Sequence, residues 1–267
     1  MTTISELGSL KGRRALITGA AGFLGNVFSD TLAELGSDLV LVDLQESKLE
    51  ELSITLQKRW GISVETIFCD LESPNHRADL IRGVNQAKEP LHILINNAAL
   101  VGTSDLLGWS VPFEEQTLAP WRRALEVNLI AAFDLCQGLA PLMRSSGSSS
   151  IVNIASIYGV VGPDWRLYEG TDMSNPAGYG ASKAGLIQLT RWLSTTLAPE
   201  IRVNSMSPGG IFRQQPKLFV NRYAEKTPLG RMAEEDDFRG AIAYLASDMS
   251  RYVTGQNLVV DGGWGTW

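Results

Sequence analysis

The sequence predicts an α/β domain built as a doubly wound parallel sheet of about seven strands, with helices on both faces. Three observations predict it. Short runs rich in Val, Ile and Leu recur along the whole chain, they lack period-two alternation, and amphipathic stretches of helical period separate them. A strand with no polar face has to be covered on both sides, and strand–helix–strand order places right-handed crossovers over the sheet. At 267 residues there is room for one such domain. No linker or internal repeat divides the chain, so residues 1–267 are read as a single domain.

The first strand is read at residues 14–18. A glycine-rich turn follows, and then a helix whose apolar face is Leu24, Val27, Phe28, Leu32 and Leu35, stopped by Gly36. Residues 39–43, 64–69 and 92–95 are the second, third and fourth strands. A second apolar helical face, Leu125, Leu129, Ala132, Phe133 and Cys136, leads through a surface loop at 145–150 to the fifth strand, 151–154. A third carries Leu186, Ile187, Leu189, Trp192 and Leu193 and precedes the strand at 202–206. A fourth, with Phe238, Ala241, Ile242, Tyr244 and Leu245, precedes the last strand at 258–260. Four consecutive acids, Glu234 to Asp237, stand before this last helix. Acids in a first turn meet the positive end of the helix, so capping is the reading and no metal is expected.

Composition removes several function classes. A net charge of −6 supplies no basic face, so no nucleic-acid partner is expected. Residues 1–11 lack the apolar core of a signal peptide, and no run approaches the roughly 18 apolar residues of a membrane span. A cytoplasmic location without a membrane partner is expected. Cys69 and Cys136, 67 positions apart, read as buried thiols in a reducing compartment rather than as a disulfide or metal framework. The only histidines are His76 and His92, neither near a Ser or Cys motif, which argues against a Ser/His/Asp hydrolase.

The turn Thr18-Gly19-Ala20-Ala21-Gly22-Phe23-Leu24-Gly25 joins the first strand to the first helix. Glycines there permit a tight turn and let backbone approach a pyrophosphate at the helix N-terminus. A glycine triplet alone is weak, and a plain βα turn is the competing reading; strand, turn and helix in this order favour a dinucleotide. Asp43 closes the second strand, 18 positions after Gly25. A carboxylate there accepts hydrogen bonds from adenosine ribose hydroxyls and repels a 2′-phosphate. No Arg or Lys lies in the turn or directly after Asp43, so NAD is expected rather than NADP. Asp43 as the N-cap of the next helix is compatible with that role.

Tyr179-Gly180-Ala181-Ser182-Lys183 opens the third helix, with phenol and ammonium four residues apart on one face. A phenol titrates near 10, and a neighbouring ammonium favours the phenolate. With Ser156 near the end of the fifth strand, this pattern resembles the active site of the short-chain dehydrogenase/reductase family. The likeness runs from Gly12 to Gly263 and implies a Rossmann-type fold. Asn96-Asn97-Ala98-Ala99 is similar to the family's turn after the fourth strand, and Asp70 with Leu71 to its adenine-contacting position. Asn128 matches the residue that holds a water behind the lysine. Pro208-Gly209-Gly210-Ile211 resembles the turn that meets the nicotinamide amide, and residues 254–263 resemble the closing strand.

The resemblance implies that Tyr179 exchanges a proton with the substrate oxygen and Ser156 hydrogen-bonds it. Lys183 would lower the Tyr179 pKa and bind the nicotinamide ribose, while Asn128 keeps a proton path to solvent. It also implies a homo-oligomer, tetramer or dimer, formed through the helices bearing Asn128 and Tyr179. Gly19, Gly22 and Gly25 are evenly spaced, as in the family's extended branch, although the chain leaves no room for that branch's second domain.

Three loops, at about 99–120, 160–176 and 211–228, follow strand ends where open α/β sheets bind ligands. Trp109, Phe113, Trp165 and Tyr168, beside Asp105, Asp164, Arg166, Glu169 and Asp172 in the first two, suit a polyhydroxylated substrate, or else pack at a subunit contact. Arg213, where the family often has threonine, joins Lys217, Arg222 and Lys226, an excess that points to an anionic substrate or is an ordinary solvated loop. The expected reaction is NAD-dependent interconversion of a secondary alcohol and a ketone in a sugar, polyol, sugar phosphate or nucleotide-sugar. The alternatives are an NADPH-dependent 3-oxoacyl thioester reductase and a non-catalytic NAD-binding scaffold.

Overall fold

Why the apolar runs lack alternation is visible in the computed structural model, which describes residues 1–102 and 104–267. Thr103, inside the first of the three loops, lies outside the described residues. The runs form β1 (Arg14–Thr18), β2 (Asp38–Asp43), β3 (Val64–Phe68), β4 (Ile93–Asn96), β5 (Ser149–Ile154), β6 (Ile201–Pro208) and β7 (Asn257–Val260). They pair in parallel as one sheet in the order β3-β2-β1-β4-β5-β6-β7. Chain order reverses at β1, which has β2 on one side and β4 on the other. That switch point opens a crevice at the carboxyl ends of β1 and β4.

The helices are α1 (Ile4–Gly8), α2 (Phe23–Glu34), α3 (Glu46–Trp60), α4 (Pro74–Gln86), α5 (Leu118–Leu125), α6 (Ala131–Ser146), α7 (Ala177–Thr196), α8 (Lys217–Lys226) and α9 (Arg239–Ala246). Ala15, Ile17, Leu39, Leu41, Ile93 and Ile95 point to one face and bury the apolar sides of α2, α3 and α9. Leu16, Val40, Val42 and Leu94 point to the other and meet α4, α6 and α7. Burial on both faces holds only for the inner strands. β3 and β7 lie at the sheet edges and are partly exposed, because each has a neighbour on one side only.

Two further expectations are corrected. Ser149 and Ser150, read as loop, are buried strand residues. Their hydroxyls donate to the carbonyls of Met143 and Leu245, each at 2.8 Å, which removes the cost of burying them. The stretch Leu118–Ser146 is helical throughout and, by length and composition, apolar enough to cross a membrane. Its apolar side, including Leu135, Leu139 and Met143, is occupied in the core beneath the sheet. The acids before α9 do cap: Glu234 and Asp237 form a reciprocal capping box on the turn Glu235–Phe238. Among the described residues no acid, His and Cys cluster suits a metal.

A third apolar cluster stands above the carboxyl edge of the sheet. Tyr168 from the 160–176 loop, Phe219 and Tyr223 from α8, and Trp264 from the C-terminal tail pack into it. These segments cover the outer end of the crevice.

Candidate active site

The glycine turn is shaped by what lies behind it. Gly19 has φ +64°, and a Cβ there would sit 2.8 Å from the Cα of Ala98. Thr18, which the sequence reading passed over, is the brace between the two strand ends. Its hydroxyl accepts from the amides of Asn97 (3.0 Å) and Ala98 (3.1 Å), while Asn97 Nδ2 donates to the Thr18 and Gly19 carbonyls, both at 3.0 Å. Gly22 is the N-cap of α2 and offers no side-chain cap, so the first amides of α2 face the crevice.

Asp43 is not the N-cap of α3; that position is Gln45. Its carboxylate accepts instead from Ala21 N (2.9 Å) and Leu44 N (2.7 Å), which ties the end of β2 to the glycine turn. Two of its lone-pair positions are thereby used and two stay open to a ligand. Asp70 Oδ1 is closed by Glu72 N at 2.9 Å. Every residue assigned from sequence to the dinucleotide, from Gly19 to Ile211, lines one cleft of about 930 Å³. The bare turn, the open helix N-terminus and the Asp43 carboxylate fit a dinucleotide.

Ser156, Tyr179 and Lys183 line the same cleft. Ser156 caps the short turn Ile157–Gly159, its Oγ accepting from Tyr158 N at 3.2 Å. Lys183 is 2% exposed, and its Nζ donates to the Ile154 carbonyl at 2.6 Å while lying 5.9 Å from the centre of the Tyr179 ring. Ammonium and phenol thus share a side, as the four-residue spacing requires. The electrostatics differ from the expectation. Burial raises the Tyr179 pKa above its ordinary value, partly offset by the Ser156 hydroxyl and the Arg213 charge, and Lys183 is not among the groups that lower it. Burial brings Lys183 itself down to about 7. Burial in the cleft disfavours both charged forms.

Asn128 sits one layer behind, 2% exposed, on a π-helical turn (Glu126–Ile130) between α5 and α6. Its Oδ1 accepts from Leu100 N at 2.8 Å, and its Nδ2 donates to Leu100 O and Ser182 Oγ, both at 3.0 Å. It links the loop after β4 to the residue preceding Lys183. Arg77, unmarked by any motif, holds this turn from α4 through Glu126 (2.8 Å), Asp134 (2.7 Å) and the Leu71 carbonyl (2.6 Å).

At the substrate end the sequence reading fares worse. Trp109 is fully buried, its Nε1 donating to Val101 O at 2.8 Å, so it anchors its own loop. Trp165 is half exposed, and Arg166 is exposed and paired with Asp164 at 2.7 Å; neither lines the cleft. Lys226 is also taken by Asp164 (2.9 Å), and Arg222 by the Glu169 carbonyl. Among these loop cations only Arg213 reaches the cleft, stacked 4.1 Å from the Phe23 ring centre and paired with Glu235 at 3.2 Å. Tyr168, expected from sequence among the loop aromatics, lines the pocket, as do Tyr158, Asn175, Phe219 and Tyr223, which were missed. Tyr223 Oη accepts from Gly210 N at 2.6 Å and so joins α8 to the turn after β6.

A family profile described as enoyl-(acyl carrier protein) reductase matches residues 19–265. A 3-oxoacyl-[acyl-carrier-protein] reductase of Rickettsia felis is 34% identical over 262 residues, 95% of this chain and 97% of that protein. A short-chain type dehydrogenase/reductase of Sinorhizobium fredii is 32% identical over 262 residues; the match spans 95% of this chain but 44% of that longer protein. Among solved structures, a gluconate 5-dehydrogenase from Burkholderia cenocepacia, in complex with NADP and tartrate, has a TM-score of 0.87 at 26% identity, covering 99% of this chain and all of the other. An NAD+-bound xylitol dehydrogenase has a TM-score of 0.82 at 28% identity, covering 95% and 99%.

Proposed function

The chain belongs to the short-chain dehydrogenase/reductase family, and on that premise we propose that it is an NAD-dependent enzyme interconverting a secondary alcohol and a ketone in a sugar or polyol. The observation that carries the reading is Ser156, Tyr179 and Lys183 converging in the cleft that Asp43 and the glycine turn enclose. When bound, the nicotinamide supplies the hydride donor or acceptor. Tyr179 gives a proton to, or takes one from, the substrate oxygen, and Ser156 hydrogen-bonds that oxygen. Lys183, whose bond to the Ile154 carbonyl uses one of its hydrogens, would hold ribose hydroxyls with the others. Asn128 keeps the backbone at Leu100 and the α7 residue Ser182 in register behind them.

Support for NAD comes from Asp43, whose open acceptor positions suit ribose hydroxyls and whose charge opposes a 2′-phosphate. Relatives named with NADP make the point worth testing. Asp43→Ala is expected to shift the ratio of NADH to NADPH affinity toward NADPH by about tenfold or more, read by nicotinamide fluorescence titration. An unchanged ratio removes the assignment. The acyl-carrier-protein reductase named among the relatives supports a second reading, with a 3-oxoacyl thioester as substrate; preference for NADPH and turnover of such a thioester would favour it.

The raised Tyr179 pKa sets the pH dependence. A phenol above its ordinary value near 10 is protonated at neutrality, the form that donates in ketone reduction. Alcohol oxidation needs the phenolate, so its kcat/KM is expected to climb with pH, approaching about tenfold per unit between neutrality and pH 10. Reduction should stay level over the same window. An oxidation rate that fell as pH rose would contradict the assignment.

A further inference from the structure

Beside Ser156 the pocket carries a polar group with no part in the proton transfer. Tyr158 Oη and Tyr168 Oη lie 2.6 Å apart, and Asn175 Nδ2 donates to Tyr168 Oη at 3.3 Å. All three residues line the cleft, with Tyr158 two positions from Ser156 on the same short turn. Tyr168 and Asn175 are each 8% exposed. Two phenols bring two hydrogens, and the bond between them uses one. Among the described residues the second finds no acceptor, and Asn175 Oδ1 takes no hydrogen bond. A donor and an acceptor therefore stand side by side, the complement of an alcohol hydroxyl, which both gives and receives.

The charges around this group argue for an uncharged ligand. The neighbouring cations are already engaged. Lys226 and Arg166 are bound to Asp164, Lys226 lies 3.9 Å from the Trp264 ring centre, and Arg222 is held by a backbone carbonyl. Arg213 is stacked over Phe23 and paired with Glu235. Phe219, its ring centre 5.4 Å from that of Tyr168, adds an apolar wall suited to a C–H face.

We propose that Tyr158, Tyr168 and Asn175 form a specificity subsite for a neutral hydroxyl on the carbon next to the one that reacts, so that the enzyme selects unphosphorylated polyhydroxylated substrates. The inference rests on the alcohol–ketone reading above and narrows it. A site built to hydrogen-bond a hydroxyl discriminates strongly against the analogue lacking it, because the buried donor and acceptor are then left unpaired.

The experiment measures kcat/KM with NAD for pentitols, hexitols and cyclic vicinal diols, each paired with the analogue lacking the adjacent hydroxyl. The wild type is expected to prefer the hydroxylated member by about 100-fold or more. Tyr158→Phe and, separately, Asn175→Ala are expected to reduce that ratio at least about tenfold. Retained NADH binding and an unchanged melting temperature identify the folded variants. Turnover with a ratio near one, a ratio unmoved by both substitutions, or preference for the phosphate ester of the same polyol overturns the subsite and leaves the alcohol–ketone reading standing. Absence of turnover with every alcohol and ketone tested, under conditions where NADH binds, overturns that reading and the subsite with it.

Discussion

Tyr179→Phe is expected to lower kcat by about 10²- to 10⁴-fold in both directions, with NADH affinity changed by no more than about threefold. The substitution removes one oxygen from a half-buried ring and leaves its packing untouched. What disappears is the phenol that lines the cleft with Ser156 and lies on the same side as the Lys183 amine. Ser156 keeps its hydroxyl, but that hydroxyl already caps the Ile157–Gly159 turn, and its own acidity is too low to replace a phenol. The Ser156 hydroxyl beside the phenol keeps its bond from Tyr158 N in the variant, so melting temperature should hardly move. Stopped-flow turnover and nicotinamide fluorescence separate the two effects. Appreciable residual turnover in Tyr179→Phe would mean that another group moves the proton, and the site would have to be reassigned.

Gly25→Ala should produce the largest loss of stability that a single added methyl can cause in this crevice. A Cβ at Gly25 would fall within bonding range of the Gly19 carbonyl oxygen and 2.8 Å from the Cα of Ala20. Both obstacles are backbone, so no side chain can swing aside, and α2 would have to lift from the sheet. Overpacking of this kind costs about 1–3 kcal/mol, occasionally more. For a chain of this size that is a fall of about 2–12 °C in Tm. The same displacement moves the first amides of α2 and the Gly19 turn, so NADH affinity is expected to drop at least about tenfold. Gly83→Ala is the matched control. It lies within α4 with nothing inside 4 Å of its Cβ position, and there alanine favours helix. If Gly25→Ala melted and bound NADH like the wild type, the close packing of α2 on the glycine turn would be wrong.

The two substitutions differ in how far sequence alone could have argued them. Gly25 was legible because its consequence is local. A turn between a strand and a helix three residues after Gly22 has few ways to close, and each needs that glycine. Tyr179 and Lys183 were legible because one helical turn fixes their relation. The pKa reasoning built on them was only half right. The four-residue spacing placed ammonium and phenol on one side, but it said nothing of burial, which pushes the phenol up and the amine down. Desolvation belongs to the surroundings of a pair and cannot be read from the pair.

The substrate loops show the same limit more severely. Trp109, Trp165 and Arg166 stand in segments that follow strand ends, and their chemistry suits a ligand. Whether a loop residue turns inward depends on partners far along the chain. Trp109 is drawn into the interior by the Val101 carbonyl, and Asp164 takes both Arg166 and Lys226. Tyr158 and Asn175 had no pattern to announce them, since Tyr158 follows Ser156 in an unremarkable turn and Asn175 precedes a proline.

What the sequence determined by itself is whatever a short stretch of chain fixes through its own geometry: strand periodicity, the closed glycine turn, Asp43 at a strand end, and the Tyr179–Lys183 spacing. Parallel strands with covering helices bring those pieces to one switch point by the handedness of the crossovers. Tertiary structure alone decided which loop side chains face the crevice, which cations are already neutralised, and which groups pay for burial with a shifted proton affinity. Those outcomes depend on contacts between residues as distant in sequence as Asp164 and Lys226, whose meeting is settled only when the whole sheet and its cover have packed.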